Sequence, residues 1–126
     1  MEQQNSPVFD AKVVNREHQV QVRLLQALAD AVSKGDSVEE GVVQLAEYSR
    51  GHFLSEELLM RLYDYSDYQS HLLDHERMVD WLDELVKREG DREAMLHAVR
   101  ELTAVFMRHI GSYDKALHDF LGELSP

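Results

Sequence analysis

Apolar side chains recur at steps of three and four residues along most of this 126-residue chain, which is the periodicity of amphipathic α-helices. The prolines Pro7 and Pro126 both lie at the ends, so the interior can be helical without interruption. Polar groups, histidines among them, interrupt all four of the apolar stripes. Four such helices joined by short turns predict an all-α protein, an antiparallel up-down-up-down four-helix bundle.

Turn and capping residues place the four helices at about 14–33, 37–63, 68–88 and 91–110, with a helical continuation to about 123. Residues 1–13 are predicted to form an N-terminal arm. Ser37 and Glu40 have the spacing of a capping box at the start of the second helix, and Asp91 can cap the fourth. The length fits one domain that spans residues 1–126.

Imidazoles and carboxylates occur within these helices at spacings that suit metal binding. The candidates are His18, His52, Glu56, His71, His75, His109 and Asp114. The HxxxE pair in HFLSEELLM and the HxxxH pair in HLLDH each point two ligands to one side of a helix. This mixed nitrogen and oxygen set suits iron, and burying it without a metal would be costly. The bundle is therefore expected to hold a diiron site in its core.

The last two candidates, His109 and Asp114, are five residues apart. Five residues turn a regular α-helix to about 140° from the starting face, so both side chains could not reach one metal pair. We therefore predict a π-type bulge, a kink or a helix end between them, with Gly111 easing the irregularity.

The ordered set of candidates resembles the hemerythrin family over nearly the whole chain. HFLSEELLM (52–60) matches the family's HFxxEExLM at every fixed position, and NREH (15–18) is similar to its DxQH. The division of ligands that the resemblance implies is His71, His75 and His109 on one iron, His18 and His52 on the other, and Glu56 and Asp114 bridging both. An oxo or hydroxo group would complete the bridge between the two iron ions.

In this family the iron with fewer protein ligands has an open position, where O2 binds reversibly as a hydroperoxide. The resemblance implies a non-enzymatic role in oxygen storage, delivery or sensing, with small anions such as azide binding the ferric form. One alternative is a diiron enzyme that acts on O2, peroxide or nitric oxide, and another is an oxygen- or redox-sensing module of a larger signalling protein. Ferritin-like enzymes use Glu-x-x-His on two helices, and no histidine here has a Glu three residues before it.

The resemblance also implies an O2 pocket. Its residues are expected to be Gln21, Phe53, Val105, Phe106 and Ile110. The family usually has an apolar residue at the position of Gln21, and Trp-Leu at the positions of Val105 and Phe106. Gln21 follows His18 by three residues, so its amide either faces the open metal position or tilts out to solvent at the edge of the stripe. His97 and His118 match no family ligand and are expected at the surface.

Composition narrows the partners and the compartment. The net charge of -11 argues against nucleic acid and anionic membranes as partners. The absence of cysteine excludes disulfides, iron–sulfur clusters and thiolate zinc sites. No apolar run approaches the length of a membrane span, and the first residues lack the pattern of a signal peptide. We expect a cytoplasmic protein, with a protein partner or a fused signalling domain as a further expectation.

Overall fold

The computed structural model describes residues 11–88 and 90–124, and these residues are almost entirely helical. The four main helices are α1 (Ala11–Lys34), α2 (Glu39–Leu62), α3 (Tyr68–Lys87) and α4 (Arg92–His109). A π-helical turn (Ile110–Asp114) continues α4 into α5 (Lys115–Leu124). Helices that follow each other along the chain pack side by side, and α1 packs against α4. The predicted antiparallel four-helix bundle is therefore confirmed.

Residues in the left-handed conformation mark the three turns between these helices. Gly35 has a φ of 77°, Asp64 a φ of 52° and Gly90 a φ of 96°. Glycine adopts this conformation without the steric cost of a Cβ atom, which suits it to the ends of helices. The predicted cap on the fourth helix is present, because the Asp91 side chain accepts a hydrogen bond from the Ala94 N–H at 3.1 Å.

The predicted capping box at Ser37 is wrong. Helix α2 begins at Glu39, and the residue before it, Val38, makes no side-chain cap hydrogen bond. The residues between α1 and Val38 form the turn that follows α1, and one of them is still hydrogen-bonded to that helix. The Asp36 N–H donates to the Ala31 carbonyl at 2.9 Å. The second helix therefore starts two residues later than its sequence pattern indicates.

The predicted N-terminal arm is only partly within the described residues. Residues 11–13 belong to the first turn of α1 rather than to an arm. Residues 1–10, and both prolines, lie outside the described part of the chain. No helix among the described residues is long and apolar enough to span a bilayer.

The candidate ligands form a polar layer between two apolar clusters of the bundle. The larger cluster takes residues from all four main helices, and Leu25, Leu45, Leu82 and Leu102 are among its most buried members. The smaller cluster comprises Leu59, Met60, Tyr65, Leu117 and Leu121. Along α2, and along the run from α4 to α5, the candidate ligands come between residues of the two clusters. Packing on both sides therefore fixes the position of the polar layer.

Candidate metal centre

All seven candidate ligands converge in this one layer. Their side chains are buried, and the most exposed of them, His18, is only 7% exposed. They form two overlapping groups, and within each group the ligand atoms all lie within 4.8 Å of one another. One group is Glu56, His71, His75, His109 and Asp114, and the other is His18, His52, Glu56 and Asp114. The two carboxylates belong to both groups.

Each shared carboxylate directs one oxygen to each group. Glu56 Oε1 lies 3.0 Å from His75 Nε2, whereas its Oε2 lies 3.1 Å from His52 Nε2. Asp114 Oδ2 lies 2.9 Å from His18 Nε2, and its Oδ1 faces the imidazoles of the other group. This is the arrangement in which a carboxylate bridges two neighbouring metal ions.

The contacts inside the cluster fit metal ions better than they fit hydrogen bonds. Four buried ligand atoms make no hydrogen bond to any residue in the described ranges: His18 Nε2, His52 Nε2, Glu56 Oε2 and Asp114 Oδ1. Their neighbours are nevertheless as close as 2.9 Å. Ligand atoms about 2.1 Å from an octahedral metal lie about 3 Å from one another, so a metal explains both the short distances and the missing hydrogen bonds. The residues present in each group therefore fit a metal ion.

Carboxylates outside the cluster hold three of its imidazoles by Nδ1. The pairs are His52 with Glu17 at 2.6 Å, His75 with Glu57 at 2.9 Å, and His109 with Asp74 at 2.6 Å. Because a carboxylate only accepts hydrogen bonds, each Nδ1 carries the proton and donates it, which leaves the Nε2 lone pair directed at the cluster. Such partners fix the orientation of a ligand imidazole and raise its basicity.

Sequence reasoning missed these three carboxylates. Each is adjacent in sequence to a candidate ligand on its own helix, but it contacts an imidazole on a different helix. An acidic residue directly beside a ligand was therefore the only available signal. Helical periodicity alone does not say which neighbouring helix such a residue reaches.

The cluster shifts the proton affinities of its own members. Burial by itself lowers the pKa of His18, but the close contacts with Asp114 and Glu56 and the attraction of their charges outweigh burial and raise this pKa to about 9. The same balance raises the pKa of His71 to about 9. Burial by itself raises the pKa of Glu56 and of Asp114, but the surrounding imidazoles lower both. Without a metal, the layer therefore retains protons on imidazoles to balance its carboxylates.

A π-helical turn brings His109 and Asp114 to the same group. It spans Ile110–Asp114, so the predicted irregularity between the two residues is confirmed. A π-helical turn contains about one residue more than an α-helical turn, so two residues that are five apart lie close to the same face of the helix. The predicted role of Gly111 is wrong, because its φ is not in the left-handed region and a Cβ added there would meet no atom within 4 Å. The turn does not require a glycine at this position.

The residues predicted for the O2 pocket differ in their surroundings. Gln21 is 1% exposed, which excludes the alternative in which its side chain tilts out to solvent. Phe53 is buried, and its ring lies 4.3 Å from that of His75 and 6.1 Å from that of Phe106. Val105 packs at the edge of the larger apolar cluster, and Ile110 is half-buried at the start of the π turn.

The two remaining histidines differ from each other. His97 is exposed and lies 3.9 Å from the Glu101 carboxylate, as expected for a surface residue. The surface prediction for His118 is wrong, because this side chain is half-buried and its ring stacks on that of His18 with centroids 5.5 Å apart. His118 follows Asp114 by one helical turn, so the π turn directs both residues to the same side of the bundle.

The comparison with protein families agrees with this geometry. Residues 10–121 match the family model of the hemerythrin HHE cation binding domain, which covers most of the chain. Searches among curated proteins and among solved structures find no match. The resemblance in the sequence is thereby confirmed, and the buried groups of imidazoles and carboxylates could hold metal ions. The chain belongs to the hemerythrin HHE cation-binding domain family.

Proposed function

We propose that this domain binds O2 reversibly at a two-iron centre, for the storage, delivery or sensing of oxygen. The observation that supports this function best is the unequal number of ligands in the two groups. The group around His109 draws on five residues, whereas the group around His18 draws on four. With a shared oxo or hydroxo bridge counted as one more ligand, a metal in the first group would have six ligands and a metal in the second would have five. A metal that prefers about six ligands would therefore keep a free position on the side of His18, where a small molecule could bind.

Burial restricts what can reach that position. No candidate ligand is more than 7% exposed, so a small molecule can enter through small fluctuations of the side chains, whereas a large substrate would have to separate the helices. The five imidazoles are neutral as ligands, and they favour the ferrous state more than further carboxylates would. Two ferrous ions held by these residues would supply the two electrons that reversible binding of O2 as hydroperoxide requires.

The test is the visible spectrum of the iron-loaded protein through cycles of oxygen and argon. Metal-free protein is loaded with ferrous iron under argon, exposed to air and then returned to argon. We expect an absorption band that appears with air, disappears under argon and returns over several cycles. His52→Ala should abolish the band, whereas His97→Ala, at an exposed position, should leave it unchanged.

Direct conversion to the ferric form, with no reversible band, would contradict the carrier function. It would support the second candidate, which is a diiron enzyme that acts on O2, peroxide or nitric oxide. The observation that favours this candidate is the buried amide of Gln21, because a polar group near the site can admit water. The lifetime of the oxygenated form separates the two functions.

A further inference from the structure

Two polar side chains, Gln21 of α1 and Ser49 of α2, lie in the apolar part of the bundle next to the metal ligands. Gln21 is 1% exposed and Ser49 is 0% exposed. One turn farther along each helix, Leu25 and Leu45 belong to the larger apolar cluster. The Gln21 amide donates to Ser49 Oγ at 3.4 Å, a long hydrogen bond that uses one of its two N–H groups. A buried amide with a remaining donor is costly unless another partner accepts from it.

The register of the two helices places this pair beside the group of four ligands. Gln21 follows His18 by three residues, and Ser49 precedes His52 by three residues. Because α1 and α2 are antiparallel, both steps lead in the same direction, towards the larger apolar cluster. Residues at this spacing are neighbours on one face of a helix. The pair therefore borders the two imidazoles on their apolar side.

The residue that would bridge the two metals lies on the opposite side of the group of four ligands from this pair. The bridging residue Glu56 follows His52 by four residues, in the direction away from Ser49. If a metal were bound by the group of four ligands, its bridging carboxylates would approach it from the side of the smaller apolar cluster. A position left free on the other side would then face the layer that contains Gln21 and Ser49.

From this placement we propose that the Gln21 amide donates a hydrogen bond to the ligand at the free position, with Ser49 holding the amide in orientation. The site would then prefer small anions and other hydrogen-bond acceptors over ligands that cannot accept one. An entirely apolar wall would favour the opposite class. This inference rests on the proposed two-iron centre and adds a determinant of its ligand specificity.

The test uses azide as the probe and the fully iron-loaded ferric protein. Gln21→Met keeps the approximate shape of the side chain and removes the amide, and Gln21→Leu is a second variant in case Met disturbs the packing. A hydrogen bond between an amide and an anion is strong enough that its loss should weaken azide binding about ten-fold, equivalent to about 1.4 kcal/mol. Ser49→Ala, which only frees the amide to rotate, should have a smaller effect in the same direction. Gln26→Leu, at an exposed position of the same helix, is the matched control and should bind azide as the unmodified protein does.

The infrared stretch of bound azide gives a readout that a purely structural role would not change. With the amide present, the band should shift between H2O and D2O, because the donor exchanges its proton, and this shift should be absent in Gln21→Met. Unchanged azide affinity and an unchanged isotope shift in both Gln21 variants would overturn the inference while leaving the two-iron centre intact. If the iron-loaded unmodified protein binds no azide, there is no free position, and both the inference and the proposed function fail.

Discussion

Replacing Asp74 with Asn should weaken the binding of the metal that we propose His109 holds, although Asp74 belongs to neither ligand group. Asp74 accepts a 2.6 Å hydrogen bond from His109 Nδ1, and its side chain is 11% exposed. Asn keeps the shape and an acceptor oxygen but removes the charge. Hydrogen bonds to charged groups contribute about 1.5–3 kcal/mol and neutral ones about 0.5–1.5 kcal/mol, so the charge contributes about 1–1.5 kcal/mol. We therefore expect about ten-fold weaker iron binding, at the lower end of the range for such partners.

The assay is an anaerobic titration of metal-free protein with ferrous iron in competition with a chelator. Asp80→Asn, at an exposed position of the same helix, removes the same charge from the surface and is the matched control. Glu17→Gln should cost less than Asp74→Asn, because the Glu17 side chain is 33% exposed and water screens its charge. Equal iron affinities for Asp74→Asn and Asp80→Asn would refute the idea that the Asp74 carboxylate supports the ligand.

Two further predictions concern the metal-free layer and the π turn. In the metal-free protein, the stability from protonated His18 and His71 should be fully present below pH 6.5 and be lost as the pH rises through about 9, because folding raises both pKa values. The stability from Glu56 and Asp114 should be present above their ordinary pKa values of 4.5 and 3.8 and be lost at lower pH, because folding lowers both. Urea unfolding from pH 2 to 10 checks both changes, and a free energy of unfolding that stays constant between pH 6.5 and 10 would contradict the histidine prediction. With iron bound, this free energy should stay constant over the same alkaline range, because the metal replaces the protons. Deleting Ser112 should convert the π turn into a regular α-helix that still directs Asp114 into the layer, so iron binding should be retained. Complete loss of iron binding in this variant would contradict the view that the π turn is a bulge of one residue.

Much of this site could be predicted because its residues follow helical periodicity. His52 and Glu56 share a helix face by their spacing alone, as do His71 and His75, and the structure places all four in the layer. The π turn could also be predicted, since a regular helix could not direct both ends of a five-residue spacing to one place. These inferences need only the geometry of one helix.

What could not be predicted depends on how the helices are rotated against each other. Glu17 and Asp74 each accept a hydrogen bond from an imidazole on another helix, so their neighbours in the sequence do not show which imidazole they contact. Gln21 lies at the edge of its apolar stripe, where a small rotation decides between solvent and core. His118 lies beyond the π turn, where the phase of the helix depends on how that turn is built. The start of α2 differs from its predicted position for a local reason, because the residues that precede Val38 form the turn that follows α1.

The number of iron ions bound per chain tests the two-metal centre most directly. Metal-free protein is titrated with ferrous iron under argon, and the bound iron is measured after removal of the excess. Because Glu56 and Asp114 each direct one oxygen to each group of ligands, we expect binding to saturate at two irons per chain. Saturation at one iron per correctly folded chain would mean that the two groups form a single site, and it would contradict both the bridged centre and the function proposed for it.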